Sequence, residues 1–200
     1  MSKLDPMRRL ALAAVLALGF MSCAAAAQDW GLPELMQLLA QHKSAKASFV
    51  ERKYIAFVDQ PIESSGELAF TAPDRLEKRT LAPRPESLVL EGDSLQVEQA
   101  GKRRLNISLQ SHPEAAAFVE SIRGTLAGDL AALQKYYTLD LSGRAERWTL
   151  VLVPNQPRMQ KIVSRIRIEG AQSLVKLITF EQADGDRSEM LITAASTSEP

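Results

Sequence analysis

Between Ser65 and Leu109 the sequence alternates apolar and polar residues with a period of two. Leu68 and Phe70 sit among Glu67, Ala69 and Thr71; Leu88 and Leu90 flank Val89. Leu95 and Val97 alternate with Ser94, Gln96 and Glu98, and Leu105, Ile107 and Leu109 alternate with Arg104, Asn106 and Ser108. A period of two places every second side chain on one face of a strand. The stretch therefore reads as four or five antiparallel strands joined by short turns, among them Gly92-Asp93 and Ala100-Gly101. One face of such a sheet is apolar and demands a cover, which the rest of the chain must supply.

The first residues read as a targeting segment. Lys3, Arg8 and Arg9 precede an apolar run from Leu10 to Met21, and Ala25-Ala26-Ala27 supplies a small-residue cleavage site. Residues 1–27 are expected to be a signal peptide, with a mature chain starting at Gln28 that forms a single domain over 28–200. The run is short for a transmembrane helix. The alternative is a lipid anchor through Cys23, because Ser22-Cys23 fits the end of a lipobox. Lys and Arg together number 24, as do Asp and Glu. Removing the leader takes three bases and one acid and leaves a slight acidic excess, which argues against nucleic acid as a partner. Cys23 is the one cysteine, so the mature chain rests on packing rather than on a disulfide.

Gln28 to Ser44 is predicted to be a helix, with Pro33 and Glu34 in its first turn and Leu35, Leu38 and Leu39 on one stripe. Lys46 to Val58 has strand composition, followed by a loop to Ser64. In the strand Arg75–Leu81, Leu76 shares its face with Lys78 and Thr80, so an edge or mouth position is expected. A second helix, Ser111 to Gly124, carries Phe118, Val119 and Ile122 on its apolar side. Ser111 and Glu114 have capping-box spacing, and Gly124 is expected as the stop. A third helix, Leu126 to Gln134, carries Leu126, Leu130 and Leu133. A second meander follows: Tyr136–Leu141 turning at Ser142-Gly143-Arg144, then Trp148, Leu150 and Leu152 in alternation. Ile162, Ser164, Ile166 and Ile168 share the next strand face, which turns at Gly170-Ala171. Leu174–Glu181 and Arg187–Ala194 are joined at Asp184-Gly185.

Residues suited to chemistry are few. His42 and His112 are the two histidines, and neither has carboxylates at ligand spacing, so no metal or other cofactor is expected. No nucleophile-elbow signal accompanies a serine. Lys78, Thr80 and Ser164 share parity with apolar neighbours and are the best positions for an enzyme's polar groups. Arg75, Lys78, Arg79, Arg84, Lys102, Arg103 and Arg104 form either a solvated outer face or a docking patch for an anionic head group or acidic partner. The alternating face itself admits two readings, a barrel packed solid or a helix-covered barrel with a ligand cavity.

The order of signal, helix, long meander, helices and second meander resembles the LolA-like family of periplasmic carriers of outer-membrane lipoproteins, over about residues 30 to 194. Ala47-Ser48-Phe49-Val50-Glu51 is similar to that family's first strand, where Gln often replaces Glu51. Ser65-Gly66-Glu67-Leu68 with Ala72-Pro73, Glu91-Gly92-Asp93-Ser94-Leu95 and Trp148 to Pro154 are similar to its later strands and turns. Gly128-Asp129-Leu130, with the Asp184-Gly185-Asp186 hairpin, resembles a subgroup linked to glycolipid or pigment-lipid export. Ala72 stands where better-known carriers have Arg before the Pro, and Leu95 and Val97 replace an aromatic pair.

The resemblance implies a mainly β, α+β fold: a half-open antiparallel β-barrel under a helical lid, enclosing a lipid-sized cavity. It implies a monomeric periplasmic carrier, not an enzyme, that shuttles an acylated cargo, lipoprotein or glycolipid, from an inner-membrane exporter to an outer-membrane acceptor. The alternatives are a lipid-sensing regulatory module of the same fold or an enzyme built on it. The expected lipid-binding residues are Phe49, Leu68, Phe70, Leu76, Leu88 and Leu90 in the early strands. Leu95, Val97, Leu105 and Ile107 continue them, and Phe118, Ile122, Leu126 and Leu130 come from the helices. Trp148, Leu150, Ile166 and Ile168 come from the second meander. Gly124 and Gly128 are the expected hinges of the lid.

Overall fold

A computed structural model describes residues 30–99 and 102–195. The signal segment, Cys23, the Gln28 cleavage point and the Ala100-Gly101 turn lie outside the described residues. No helix among the described residues is long and apolar enough to cross a membrane.

The first meander contains α1 (Leu32–Leu39), β1 (Ser44–Tyr54), β2 (Ile62–Thr71), β3 (Arg75–Ala82), β4 (Glu86–Glu91), β5 (Ser94–Gln99) and β6 (Lys102–Ser108). A 3-10 turn, Leu109–Ser111, leads into α2 (Pro113–Ala127) and α3 (Leu130–Tyr136). The second meander is β7 (Tyr137–Arg144), β8 (Arg147–Pro154), a short α4 (Pro157–Gln160), β9 (Val163–Ala171), β10 (Leu174–Gln182) and β11 (Arg187–Ala194). All strands join one eleven-stranded sheet in the order β6-β5-β4-β3-β2-β1-β11-β10-β9-β8-β7. Every pairing is antiparallel. The two meanders meet where β1 pairs with β11. The sheet curls but does not close, as expected of a half-open barrel.

Several boundaries differ from the sequence reading. The first helix is confined to α1, because Ser44 already pairs with Thr71 in the sheet. Strand β1 stops at Tyr54, while Ile62–Ser64, expected as loop, pair with Glu51–Lys53. The intervening loop carries Phe57 in a left-handed conformation and fully exposed. Strand β3 is internal, between β2 and β4, rather than at an edge. Strand β7 runs through Ser142-Gly143-Arg144, and β9 runs through Gly170-Ala171, with the turn at Gln172-Ser173.

Strand β9 also corrects a face. Glu181 pairs with Arg165 but Gln182 pairs with Val163, so one extra residue bulges at Ser164. The bulge turns Val163 inward and buries it, and it leaves Ile162 46% exposed. Ser164 is exposed on the surface, where its hydroxyl donates to the Glu181 carbonyl.

The helices pack through a face that period counting did not single out. Ala117, Ser121, Gly124 and Thr125 are the buried positions of α2, rather than Phe118, Val119 and Ile122. The Ser121 and Thr125 hydroxyls donate to Phe118 and Ser121 carbonyls within the helix, and the Tyr137 hydroxyl donates to the Ala117 carbonyl at 2.9 Å. Burial pushes the Tyr137 phenol up to about 12. Gly124 is not the stop: a Cβ there would lie 3.0 Å from Leu133 Cδ2, so it is a contact point with α3. The helix ends at Gly128, whose φ of 69° is the left-handed cap, and Asp129 caps α3 by accepting from Ala132 N–H. Ser111 falls in the 3-10 turn and His112 occupies the N-cap position without a side-chain cap bond, so no capping box starts α2.

Helix α1 (Leu35, Met36, Leu39), α2 (Ala117) and α3 (Leu133) close over the β7–β11 half of the sheet. Beneath them lie Tyr137, Trp148, Leu150, Leu152, Ile166, Ile168, Ile178 and Met190, with Phe49 of β1. Trp148 lies flat against Gly170, where a Cβ would collide with the indole and with the Leu174 carbonyl. Gly170→Ala must therefore displace the largest buried side chain. The expected cost is about 1–3 kcal/mol of unfolding free energy, read from urea denaturation. An unchanged midpoint would show that the indole is not held there.

Candidate functional site

The register defines one face through the whole sheet. On the early strands, Leu68 pairs with Lys78, Lys78 with Leu88, Leu88 with Val97 and Val97 with Leu105. The neighbouring row runs Phe70, Leu76, Leu90, Leu95 and Ile107. Directly paired residues of antiparallel strands share a face, so these side chains form one trough that is apolar apart from Lys78. Across β1 the same face continues through Phe49 and Ile192 on β11 to the second meander. There Ile178 pairs with Ile168, and Ile168 with Leu150.

Burial divides this face in two. Trp148, Leu150, Ile166 and Ile168 are at most 1% exposed, and Phe49 is 2% exposed; all belong to the solid core under the helices. Phe70 and Leu90 are also buried, but Leu68, Leu76, Leu88, Leu95, Val97 and Ile107 are only half-buried, and Leu105 is 47% exposed. Ile122 and Leu130 pack against the core from the helices, and Leu126 is half-buried. Phe118 remains 41% exposed and stacks on Phe180 of β10 with ring centres 4.7 Å apart. The expected lining residues thus fall into a sealed half and an accessible half, and Phe118 stands on the helical side.

A polar cluster interrupts the trough where β1, β3 and β11 face inward. Lys78 Nζ donates to Glu51 Oε2 at 2.5 Å, and Ser188 Oγ donates to Glu51 Oε1 at 2.6 Å. The Lys78 ammonium lies 4.9 Å from the centre of the Phe49 ring. The side chains of Lys78 and Glu51 are 25% and 19% exposed. Burial would raise the Glu51 carboxyl, but the Lys78 ammonium and the hydrogen bonds from Lys78 and Ser188 override it and hold Glu51 below its ordinary value. Thr80 lies in the next row, paired with Glu86, whose carboxylate accepts from Gln99 Nε2 at 2.7 Å. Sequence reading marked Lys78 and Thr80 as inward but missed Glu51 and Ser188. The available signal was Glu51 at the period-two spacing of Phe49, on a strand whose two faces the sequence does not separate.

The described basic side chains do not form one patch. Arg75 reaches Glu77 at 2.8 Å and Glu91 at 2.9 Å, and Arg79 alternates outward with it, whereas Lys78 points inward. The side chains of Lys102, Arg103 and Arg104 lie outside the described residues. His42 meets Ser173 across 2.7 Å. No group of three metal-ligating side chains occurs among the described residues.

The lowered Glu51 carboxyl makes a pH-dependent contribution. A carboxyl with a folded value below its ordinary 4.5 stabilises the fold above that value and loses the contribution as pH falls through the folded one. The melting temperature of the parent should therefore fall more steeply than that of Glu51→Gln on acidification below the ordinary value. Parallel curves would show that the ion pair contributes nothing to stability.

Residues 22–199 match the family model described as outer membrane lipoprotein carrier protein LolA-like. No curated protein matches the sequence. Among solved structures, the chain is similar to a LolA superfamily protein from Nitrosomonas europaea, at 11% identity and a TM-score of 0.47, over 84% of this chain and 93% of that one. It is similar to a DUF1329 family protein from Desulfovibrio piger, at 10% identity and a TM-score of 0.47, over 84% and 92% of the two chains. It is also similar to a chain in the MucA/MucB complex of Pseudomonas aeruginosa, at 16% identity and a TM-score of 0.37, over 84% and 58%. The family match, rather than these distant likenesses, assigns the chain.

Proposed function

The chain belongs to the family of LolA-like outer membrane lipoprotein carrier proteins, and from that premise we propose that it is a periplasmic carrier that shields the acyl chains of a lipoprotein or glycolipid between two membranes. The observation that carries the reading is the inward face of β2–β6, where Leu68, Leu76, Leu88, Leu95, Val97 and Ile107 stay half-buried and Leu105 exposed rather than sealed by the helices. An apolar surface of this kind marks a binding surface more often than an idle one. Hydrocarbon needs such a surface: at about 0.8 kcal/mol per methylene, exposing a chain of sixteen carbons to water costs roughly 13 kcal/mol. A strand of about seven residues spans about 23 Å, longer than one leaflet of hydrocarbon at about 15 Å.

The cargo would enter beside Phe118, whose exposed ring rests on Phe180 of β10 at the margin of the core. Catalysis is no part of the reading: the inward groups Glu51, Lys78 and Ser188 are bonded to one another. An inner-membrane exporter is the proposed donor and an outer-membrane protein the acceptor. Export requires the leader to be removed at Gln28, which intact mass of the mature protein checks; a retained acylated Cys23 would make the protein membrane-anchored instead.

Two arginine variants test the binding face. Val97→Arg, in the accessible half between Leu88 and Leu105, should leave the melting temperature within a few degrees of the parent and weaken uptake of a fluorescent fatty-acyl probe. Ile168→Arg, in the sealed half, places an unpaired charge in the core and should prevent folding. Uptake by Val97→Arg equal to that of the parent, or no uptake by the parent, defeats the carrier reading.

A further inference from the structure

The trough would accept any acyl chain, so a carrier built on it alone would fill with the phospholipids that surround it. The Glu51–Lys78–Ser188 cluster supplies a polar contact at a fixed place along that trough. Lys78 stands in the row between Leu68 and Leu88, so a chain lying along the row brings its head group to the ammonium. We propose that this cluster is a head-group filter that favours acyl cargo with an uncharged hydroxyl- or amide-bearing head over cargo with a phosphate or carboxylate head. The proposal rests on the carrier reading and specifies the cargo.

Hydrogen-bonding capacity supports it. An ammonium has three donors, and Lys78 uses one on Glu51. The Glu51 carboxylate has about four acceptor positions and takes one bond from Lys78 and one from Ser188. The Ser188 hydroxyl donates to Glu51 and keeps its own acceptor capacity. The cluster therefore offers both donors and acceptors to an incoming group. A hydroxyl or amide, which donates and accepts, uses both. A phosphate or carboxylate can only accept.

Charge supports it independently. Among the described side chains, the charges near the cluster are Glu51, Lys78, Glu86 in the next row and Lys53 at the strand end. They balance, and Lys53 is exposed to water, where its charge is screened. An anionic head taking the spare Lys78 donors would lie beside the Glu51 carboxylate, whose charge that ammonium already neutralises, and drawing Lys78 away would strand a carboxylate whose side chain is 19% exposed. A neutral head leaves the pair intact.

The test compares probes with the same twelve-carbon chain, so that the apolar contribution is held constant: dodecyl glucoside for hydroxyls, N-dodecylacetamide for an amide, and dodecyl phosphate for an anion. Binding is measured by calorimetry below the micelle concentration, at a pH where the phosphate is ionised. The parent should bind at least one neutral probe about tenfold more tightly than dodecyl phosphate, the size of one charge-assisted hydrogen bond. The glucoside and acetamide arms show which neutral head is preferred. Glu51→Gln leaves Lys78 without its counter-charge, and the preference should reverse in favour of dodecyl phosphate. Lys78→Met keeps the stem and removes the charge, and it should bind all three probes alike. Circular dichroism establishes that each variant is folded. A parent that binds dodecyl phosphate as tightly as the neutral probes overturns the filter, as does the same ranking in parent and Glu51→Gln, while the carrier reading stands. A parent that binds none of the three overturns both.

Discussion

Everything in this molecule depends on keeping one register through eleven strands. Because side chains alternate with a period of two, a slip of one residue would carry a whole strand's apolar set to the outer face. The pairing Phe49 to Gly66 on one side and Phe49 to Ile192 on the other joins the two meanders without such a slip. Gly66 is part of the device: a Cβ there would run into the Arg79 carbonyl of β3, so the strands approach closely at the point where β2 and β3 shift register. At Ser164 the bulge uses one extra residue and restores inward parity at Val163.

A sheet this wide presents more apolar face than the four described helices cover, and the helices spend their contacts on one side. Small residues make that possible. Ala117, Ser121, Gly124 and Thr125 let α2 sit close to α3 and to the sheet, and their hydroxyls are satisfied by carbonyls of the same helix. The larger side chains of α2 are then left at the margin. Phe118 ends up against Phe180 rather than in the core. Arg123, paired with Glu120 at 2.6 Å, donates to the Gly92 carbonyl at 2.7 Å and ties α2 to the β4–β5 turn. The helical layer is thereby anchored at both meanders while the early strands stay half-covered.

Much of this was legible in the sequence, because period-two alternation is a local signal. The inward rows from Leu68 to Ile107 and the Trp148–Leu150–Leu152 face stand where the pattern put them. Non-local facts were not legible. The bulge that moves Ser164 outward is visible only in the pairing with β10. The interior place of β3 follows from its neighbours, and its poor apolar face was a sign of Lys78 meeting Glu51 across 27 positions of sequence. Gly124 read as a stop because glycine usually ends helices; here it serves close packing with Leu133, and Gly128, one turn later, takes the left-handed cap. Which half of the apolar face is sealed could not be read at all, since parity gives a side chain's direction and not what lies above it.

The polar cluster and the uneven cover bear on each other. A partly buried ion pair is weak support for a fold, since removing two charges from water costs about as much as their attraction returns, and apolar replacements often do as well or better. Stability here comes from the sealed half, where Trp148, Leu150, Ile166 and Ile168 meet neighbours on all sides. The accessible half lacks neighbours above it and contributes less per side chain. A pair placed there is spared the full cost of desolvation and keeps hydrogen-bonding positions free, which a pair in the sealed half could not do. The division of the face into a part that holds the fold and a part that can meet a ligand is what lets Glu51 and Lys78 occupy an apolar surface without unfolding it.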